Sequence, residues 1–481
     1  MKKLHIQNPV RIAMLLVMLV FSSCVDYLSI APEDKLIKEK FWTKTADVEG
    51  ALAAAYDALR NASLKSLIFG ELRADLVTFP GESFSNYDRI AASNISPTNP
   101  VITWKEYYSA INLANTLMHF DDEVFEIDQT FTQELKDAIE AEARFIRSVA
   151  YFYLVRLWKD VPLVVEASIS DTSNLYVGKS PEHEVISFIV DDLLTAREMA
   201  FSTEYAGTNY FYGRANKYSI TALLADVYLW SEQYEKCIEA CDLIINSEMF
   251  GLEPTETWWN VYYPGNSISE GIMEIQYDDN LDNQNNPIYD NMISFSGGIQ
   301  VALDQQNINL ICDMEDPRRA LPIWKYAGKD LFGQIPRSIT ERDANWILYR
   351  YADILLMKAE ASIELNRFGD ANELIAETLL RAGMPFVEET DKERLRQELL
   401  DERGREFLFE GKRWFDLLRA AKRDNFEKKQ IIIDMILSGA DIKQQAILRT
   451  RVYDTLSYYL PIPEHELIYN QNLKQNPYYD R

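Results

Sequence analysis

Glycine and proline are scarce, 18 and 17 in a chain of 481 residues, below the ~7% and ~5% of average usage. So few breakers argue against a many-turned β architecture; long helices are favoured instead. Histidine and cysteine occur four times each. Only His119, His183 and His465 lie beyond the N-terminal segment, and none sits in a partner pattern. HExxH and GxSxG do not occur, so a zinc site or a histidine-based triad has no sequence support. Positive charge is also short, with 49 Lys and Arg against 75 Asp and Glu and a net charge of −26. Nucleic acid demands a basic footprint, and a polybasic membrane patch would too, so both are disfavoured. After the first 23 residues no stretch approaches the ~18 apolar residues of a spanning helix. What is present is ample apolar content, 47%, enough for a sizeable core and against disorder.

The first cysteine closes an apolar run. Lys2, Lys3 and Arg11 precede ten apolar residues from Ile12 to Phe21, about 15 Å of helix and far short of a ~30 Å hydrocarbon core. A basic start, a short apolar middle and small residues at the end describe a secretory signal over residues 1–23. Ser22 and Ser23 before Cys24 resemble the cleavage box of bacterial lipoproteins, with Phe21 where Leu is usual. That resemblance implies that Cys24 becomes the first mature residue and carries a lipid anchor, each buried CH₂ adding ~0.8 kcal/mol of membrane affinity. Removing 1–23 deletes three positive charges and no negative ones, taking −26 to −29. Cys237, Cys241 and Cys312 remain. Their odd count and spacing give no disulfide framework, and they read as small buried apolar residues.

Several segments have helical periodicity. "DVEGALAAAYDALR" (47–60) sets Leu52, Ala55, Tyr56 and Leu59 on one face. "WKEYYSAINLANTLM" (104–118) follows a Pro-containing loop. "AIEAEARFIRSVAYFYLVRLW" (138–158) aligns Phe145, Val149 and Phe152 in one stripe. "PEHEVISFIVDDLLTA" (181–196) opens with a proline, as helix starts tolerate.

Two later stretches repeat each other. Ala225, Tyr234 and Cys237 fall at offsets 0, 9 and 12, and Ala359, Phe368 and Ala371 fall at the same offsets. A small residue in one helix, an aromatic at the turn and a small residue in the next are marks of tetratricopeptide-type hairpins. The expected fold is therefore mainly α: a solenoid of such hairpins carrying long irregular insertions and minor β. Residues 251–345 form the main insertion, rich in Asn, Asp, Gly and Pro and carrying aromatics such as Trp258, Trp259, Tyr289 and Trp324, between helical regions 24–250 and 346–481; the mature 24–481 is expected to be one compact unit. Residues 73–103 form a second insertion. Long loops in a compact domain are usually functional.

Searches for catalytic chemistry fail in informative ways. "VGKS" (177–180) suggests a phosphate loop, but Ser173 stands where its first glycine is required. Asp278, Asn280 and Asp282 have calcium-loop spacing, yet Asn283 replaces the turn glycine and Tyr289 the bidentate acid, so they are weak calcium candidates and no cofactor is expected. In "DERGREFLFEGKRWFDLLRA" (401–420), Arg403, Glu406, Glu410 and Arg413 step by three, four and three. That spacing predicts one helical face carrying both signs, two acids flanked by two arginines, with Phe407, Trp414 and Leu418 on another. Acids between arginines keep depressed pKa values and make poor proton donors, so this reads as a structural lattice rather than a glycosidase pair.

The chain resembles the SusD/RagB family of Bacteroidetes outer-membrane lipoproteins along its length. The resemblance is carried by Cys24 with "DYLSIAP", by "FWTKTADVEGALAAAYDALR", "WKEYYSAINLAN" and "AEARFIRSVAYFYLVRLWKDVPLV", and by "ERGREFLFEGKRWFDLLRA" and "YYLPIPEHELIYNQNLKQNPYY". Ser29 and Tyr478 depart from the usual Asp and Gly. The resemblance implies a helical scaffold held at the extracellular face of the outer membrane by a lipid. It further implies binding of oligosaccharide (of peptide in the RagB branch), delivery to a SusC-like TonB-dependent β-barrel transporter, and no enzymatic activity.

Sugars offer apolar C–H faces and hydroxyl rims, which aromatic rings and polar side chains complement. On that ground the expected ligand contacts are Arg73, Asp75 and Tyr87 from the first insertion and Trp258, Trp259, Tyr289 and Trp324 from the second. The competing reading is that these aromatics pin long loops to the scaffold. Competing functions are peptide capture, a surface glycoside hydrolase, and a ligand-free solenoid adaptor.

Overall fold

The computed structural model describes residues 41–78, 85–169, 174–204, 206–262, 269–278, 286–287, 302–312, 316, 318, 343–438, 445–446 and 448–480. The signal segment, Cys24, Asn280, Asp282, Tyr289 and Trp324 lie outside these residues. The longer helices are α1 (Thr45–Asn61), α2 (Lys105–Ile127), α3 (Gln133–Trp158), α4 (Glu182–Met199), α5 (Lys217–Trp230) and α6 (Tyr234–Ile245). After the main insertion, which carries α7 (Gln305–Ile311), come α8 (Tyr351–Glu364), α9 (Phe368–Arg381), α10 (Lys392–Glu406), α11 (Arg413–Phe426) and α12 (Gln430–Ser438). Each helix packs on the next in the order α1–α2–α3–α4–α5–α6–α8–α9–α10. The protein is mainly α, as the periodicity predicts.

The repeated offsets are structural. Tyr234 and Phe368 are the first residues of α6 and α9. Before them Glu232 and Asn366 adopt left-handed φ of 60° and 61°. The Gln233 amide then donates to Tyr228 O and the Arg367 amide to Ser362 O, both at 2.8 Å. Ala225, Ala359, Cys237 and Ala371 are fully buried, so small residues let the paired helices approach. Cys237, Cys241 and Cys312 are buried and form no disulfide among the described residues, as expected of small apolar residues.

Sheet is confined, among the described residues, to three antiparallel pairs: β1 (Val77–Thr78) with β5 (Ala302–Leu303), β2 (Val161–Pro162) with β3 (Lys179–Ser180), and β4 (Gly271–Ile275) with β6 (Trp346–Arg350). Both strands of the last pair are buried along their length. β6 runs directly into α8, so β4 sews the main insertion to the strand and helix that follow it. One hydrophobic core runs from Val48 to Leu473, and a smaller one lies among α8, α9 and α10.

The 401–420 stretch corrects an expectation. It is not one helix: α10 stops at Glu406, and α11 starts at Arg413. Phe409 and Gly411 between them have φ of 66° and 73°. The reason is a close backbone approach. A Cβ on Gly70 would overlap the Gly411 carbonyl, and one on Gly411 would come within 2.8 Å of Ser66 O and the Trp346 ring. Only a glycine-led break brings the chain onto the 66–72 turn.

Candidate ligand-binding site

The break organises the charges around it. Arg350, with no exposed surface, donates to Glu406 Oε1 at 2.6 Å and to both Glu410 oxygens at 3.0 Å, and also contacts Glu270. Arg318 bonds Glu402 and Glu406 at 2.8 Å each, and Arg381 also pairs with Glu406. Burial alone would raise the Glu406 pKa, but Arg381, Arg350 and Arg318 pull it well below the carboxylate range. Glu406 is thus a fixed anion with no proton to give, and the lattice reading of these residues fits the geometry. Arg318, Arg350 and Glu270 were not singled out in the sequence. The one signal for Arg350 is a charge at the end of the otherwise apolar "WILYR".

The lattice anchors the two insertions, which meet. β1 belongs to the 73–103 insertion and β5 to the 251–345 insertion, and they pair with Val77 opposite Leu303. Beyond the pair, the Asp304 amide donates to Leu76 O at 2.9 Å, and Asn307 Nδ2 donates to Asp75 O at 2.8 Å. α7 starts at this junction, capped by the Asp304 side chain, and presents Asn309 and Leu310 outward. Asn307 drew no attention in the sequence, because a lone Asn in an Asn-rich stretch carries no signal.

The residues expected at the site are placed differently from one another. Asp75 lies at the junction, but its carboxylate is taken by a fork from Arg413 at 2.7 and 2.8 Å. Arg73 is 2% exposed. Its guanidinium lies over the Trp414 ring at 3.9 Å and donates to Ser457 O at 3.3 Å; burial pulls its pKa down to about 10. Trp258 is 3% exposed in a cluster with Val261, Tyr262 and Ile347, edge-on to Tyr262 at 5.8 Å. Arg73, Asp75 and Trp258 therefore hold the insertions onto the scaffold. Tyr87 is half-buried beside the core, and burial raises its phenol pKa. Trp259 follows Trp258 in the turn Trp258–Tyr262. Asp278 is half-buried; among the described residues no three acids, histidines or cysteines gather as metal ligands.

The architecture is thus a helical scaffold from which two insertions converge on one junction. Residues 26–229 match the family model described as "Starch-binding associating with outer membrane", and residues 325–479 match the model of the SusD family. The chain is a member of the SusD-like family. SusD-like protein P38 of Formosa agariphila is 27% identical over 470 residues, covering 84% of this chain and 89% of that protein. A SusD superfamily protein of Bacteroides vulgatus shares the fold, with a TM-score of 0.74 at 22% identity over 91% of this chain and 100% of that one. A laminarin-binding SusD-like protein superposes with a TM-score of 0.70 at 22% identity, covering 90% of this chain and 99% of that one. Among the described residues no helix is long and apolar enough to cross a membrane.

Proposed function

We propose that this protein captures oligosaccharide at the junction of its two insertions and hands it, unmodified, to a SusC-like TonB-dependent β-barrel in the outer membrane. A lipid on Cys24 tethers it to the extracellular face. The observation that carries this reading is the pairing of β1 with β5, reinforced by the Asp304–Leu76 and Asn307–Asp75 hydrogen bonds. It draws two insertions that lie far apart in the sequence to one place. Membership of the SusD-like family and the likeness to a laminarin-binding relative support a glycan as the cargo. Tyr87, Trp259, Tyr289 and Trp324 supply the rings; Arg73, Asp75 and Trp258 set the loops that carry them.

The discriminating experiment is a binding screen of the purified mature chain against laminarin, starch, xylan and mannan fragments alongside random oligopeptides. The reading requires saturable binding to at least one glycan. Binding confined to the peptides would replace it with peptide capture. Solubilised from its native membrane, the protein should carry acyl chains on Cys24 and bring a β-barrel of TonB-dependent type with it.

A further inference from the structure

A cleft sharing no residue with the junction opens on the outer side of α1. Leu52, Tyr56 and Arg60 recur every fourth residue and form one wall, as helix geometry requires of a common face. The opposite wall is the short turn Asn209–Gly213 with Arg214, and the floor is the end of β4 at Ile275 and Gln276. Three separate parts of the chain thus enclose ≈ 460 Å³, within the ~300–1,000 Å³ of small-molecule sites.

The cleft is built rather than left over. Tyr56 Oη donates to Glu142 at 2.7 Å and accepts the Ala215 amide at 2.7 Å. Arg214 forks onto the same Glu142 at 3.0 and 2.6 Å. A Cβ on Gly213 would lie 2.5 Å from the Gln276 carboxamide, so the glycine admits that amide to the wall. At the mouth stands Tyr210, 63% exposed.

The chemistry disfavours an anionic guest and suits a hydroxylated one. Arg214 is paired with Glu142, and Arg60 with Asp57, while Glu49 and Glu274 add carboxylates to the lining, so an anion would meet like charge and compete with internal ion pairs. Paired guanidinium and carboxylate groups still form hydrogen bonds; Asp57 takes one of the five N–H groups of Arg60. An exposed ring, an amide and buried Leu52 and Ile275 complete a surface suited to sugar C–H faces and hydroxyls. We propose that this cleft is a second carbohydrate subsite, holding one or two neutral sugar units. The proposal takes its ligand class from the function proposed above and is otherwise independent of the junction.

The test is methyl NMR of the full mature chain titrated with laminaribiose, maltose and xylobiose in turn. The Leu52 and Ile275 methyls report on the cleft, and the Leu76 and Leu310 methyls on the junction. At least one sugar should shift the cleft methyls saturably. Tyr210→Ala should raise the midpoint by about two- to tenfold, the weight of one aromatic face, and Ala53→Trp, at an exposed lining position, should block the shift. Cleft methyls unmoved by all three sugars would overturn the proposal, as would a midpoint unchanged in both variants. Shifts at the junction alone overturn this proposal and leave the junction reading standing; shifts at the cleft alone support it and count against that reading.

Discussion

The Glu71 carboxylate, 1% exposed, accepts a hydrogen bond from the Gly411 amide at 2.7 Å across 340 positions of sequence. It also accepts from the Lys412 amide at 3.2 Å, so a buried anion caps the start of α11. Glu71 lies in the region matched by one family model and Gly411 in the region matched by the other. Glu71→Ala should cost about 2–3 kcal/mol by leaving buried donors unpaired, and Glu71→Gln distinctly less, because it keeps an acceptor oxygen. Gly411→Ala should be at least as damaging, since its left-handed φ and its lack of room act together. Thermal melting of the three variants checks this order.

Arg350 holds three carboxylates at once. Arg350→Met should destabilise by about 3–5 kcal/mol, because Glu270, Glu406 and Glu410 stay buried after their shared cation is gone. Chemical denaturation would measure it. A loss under about 1 kcal/mol would mean that Arg318 and Arg381 carry the lattice alone.

The pH response has two signs. Glu406 and Glu360 are depressed by their arginines against the effect of burial. The stability they contribute is present above the unfolded carboxylate pKa of 4.5 and is lost as pH falls through their lower folded values. Asp401 is opposite: burial lifts it from 3.8 to about 6, with Arg413 and Arg405 pulling back. Its penalty is absent below the unfolded value, grows between the two and is complete above about 6. Asp401→Asn should therefore raise the melting temperature at pH 8, the gain vanishing towards pH ~4. A gain independent of pH would contradict this.

Asn307 ties α7 to the first insertion. Removing its hydrogen bond with Asn307→Ala costs about 1 kcal/mol locally and should leave the scaffold's melting temperature nearly unchanged. Glycan affinity should nevertheless fall several-fold, because the two insertions lose their register. Titration of wild type and variant with the glycan from the binding screen checks it; unchanged affinity would move the site away from the junction.

Much of the scaffold was legible from periodicity. The 225/234/237 and 359/368/371 offsets located both hairpins, because close helix packing restricts residue size at those points. The turn conformation itself was hidden, since Glu232 and Asn366 share a φ but no side-chain chemistry. The α10–α11 break was missed because charged residues at 403, 406, 410 and 413 continue a helical rhythm across it. Only Gly70 facing Gly411 explains the interruption, and a contact 341 positions apart leaves no local trace. β4 was hidden in an insertion whose average texture is irregular, although "GIMEI" is a short apolar run. Trp258 stands among the ligand contacts expected from the sequence; the structure shows its ring packed among Val261, Tyr262 and Ile347.

The most direct test of the account is calorimetric titration of the mature protein with the glycan found in the screen, followed by assay of the same sample for new reducing ends. Saturable heat with no new ends, and an affinity several-fold weaker in Trp324→Ala, is the result the account predicts. Reducing ends that accumulate with time, or an affinity indifferent to both Trp324→Ala and Asn307→Ala, would contradict it.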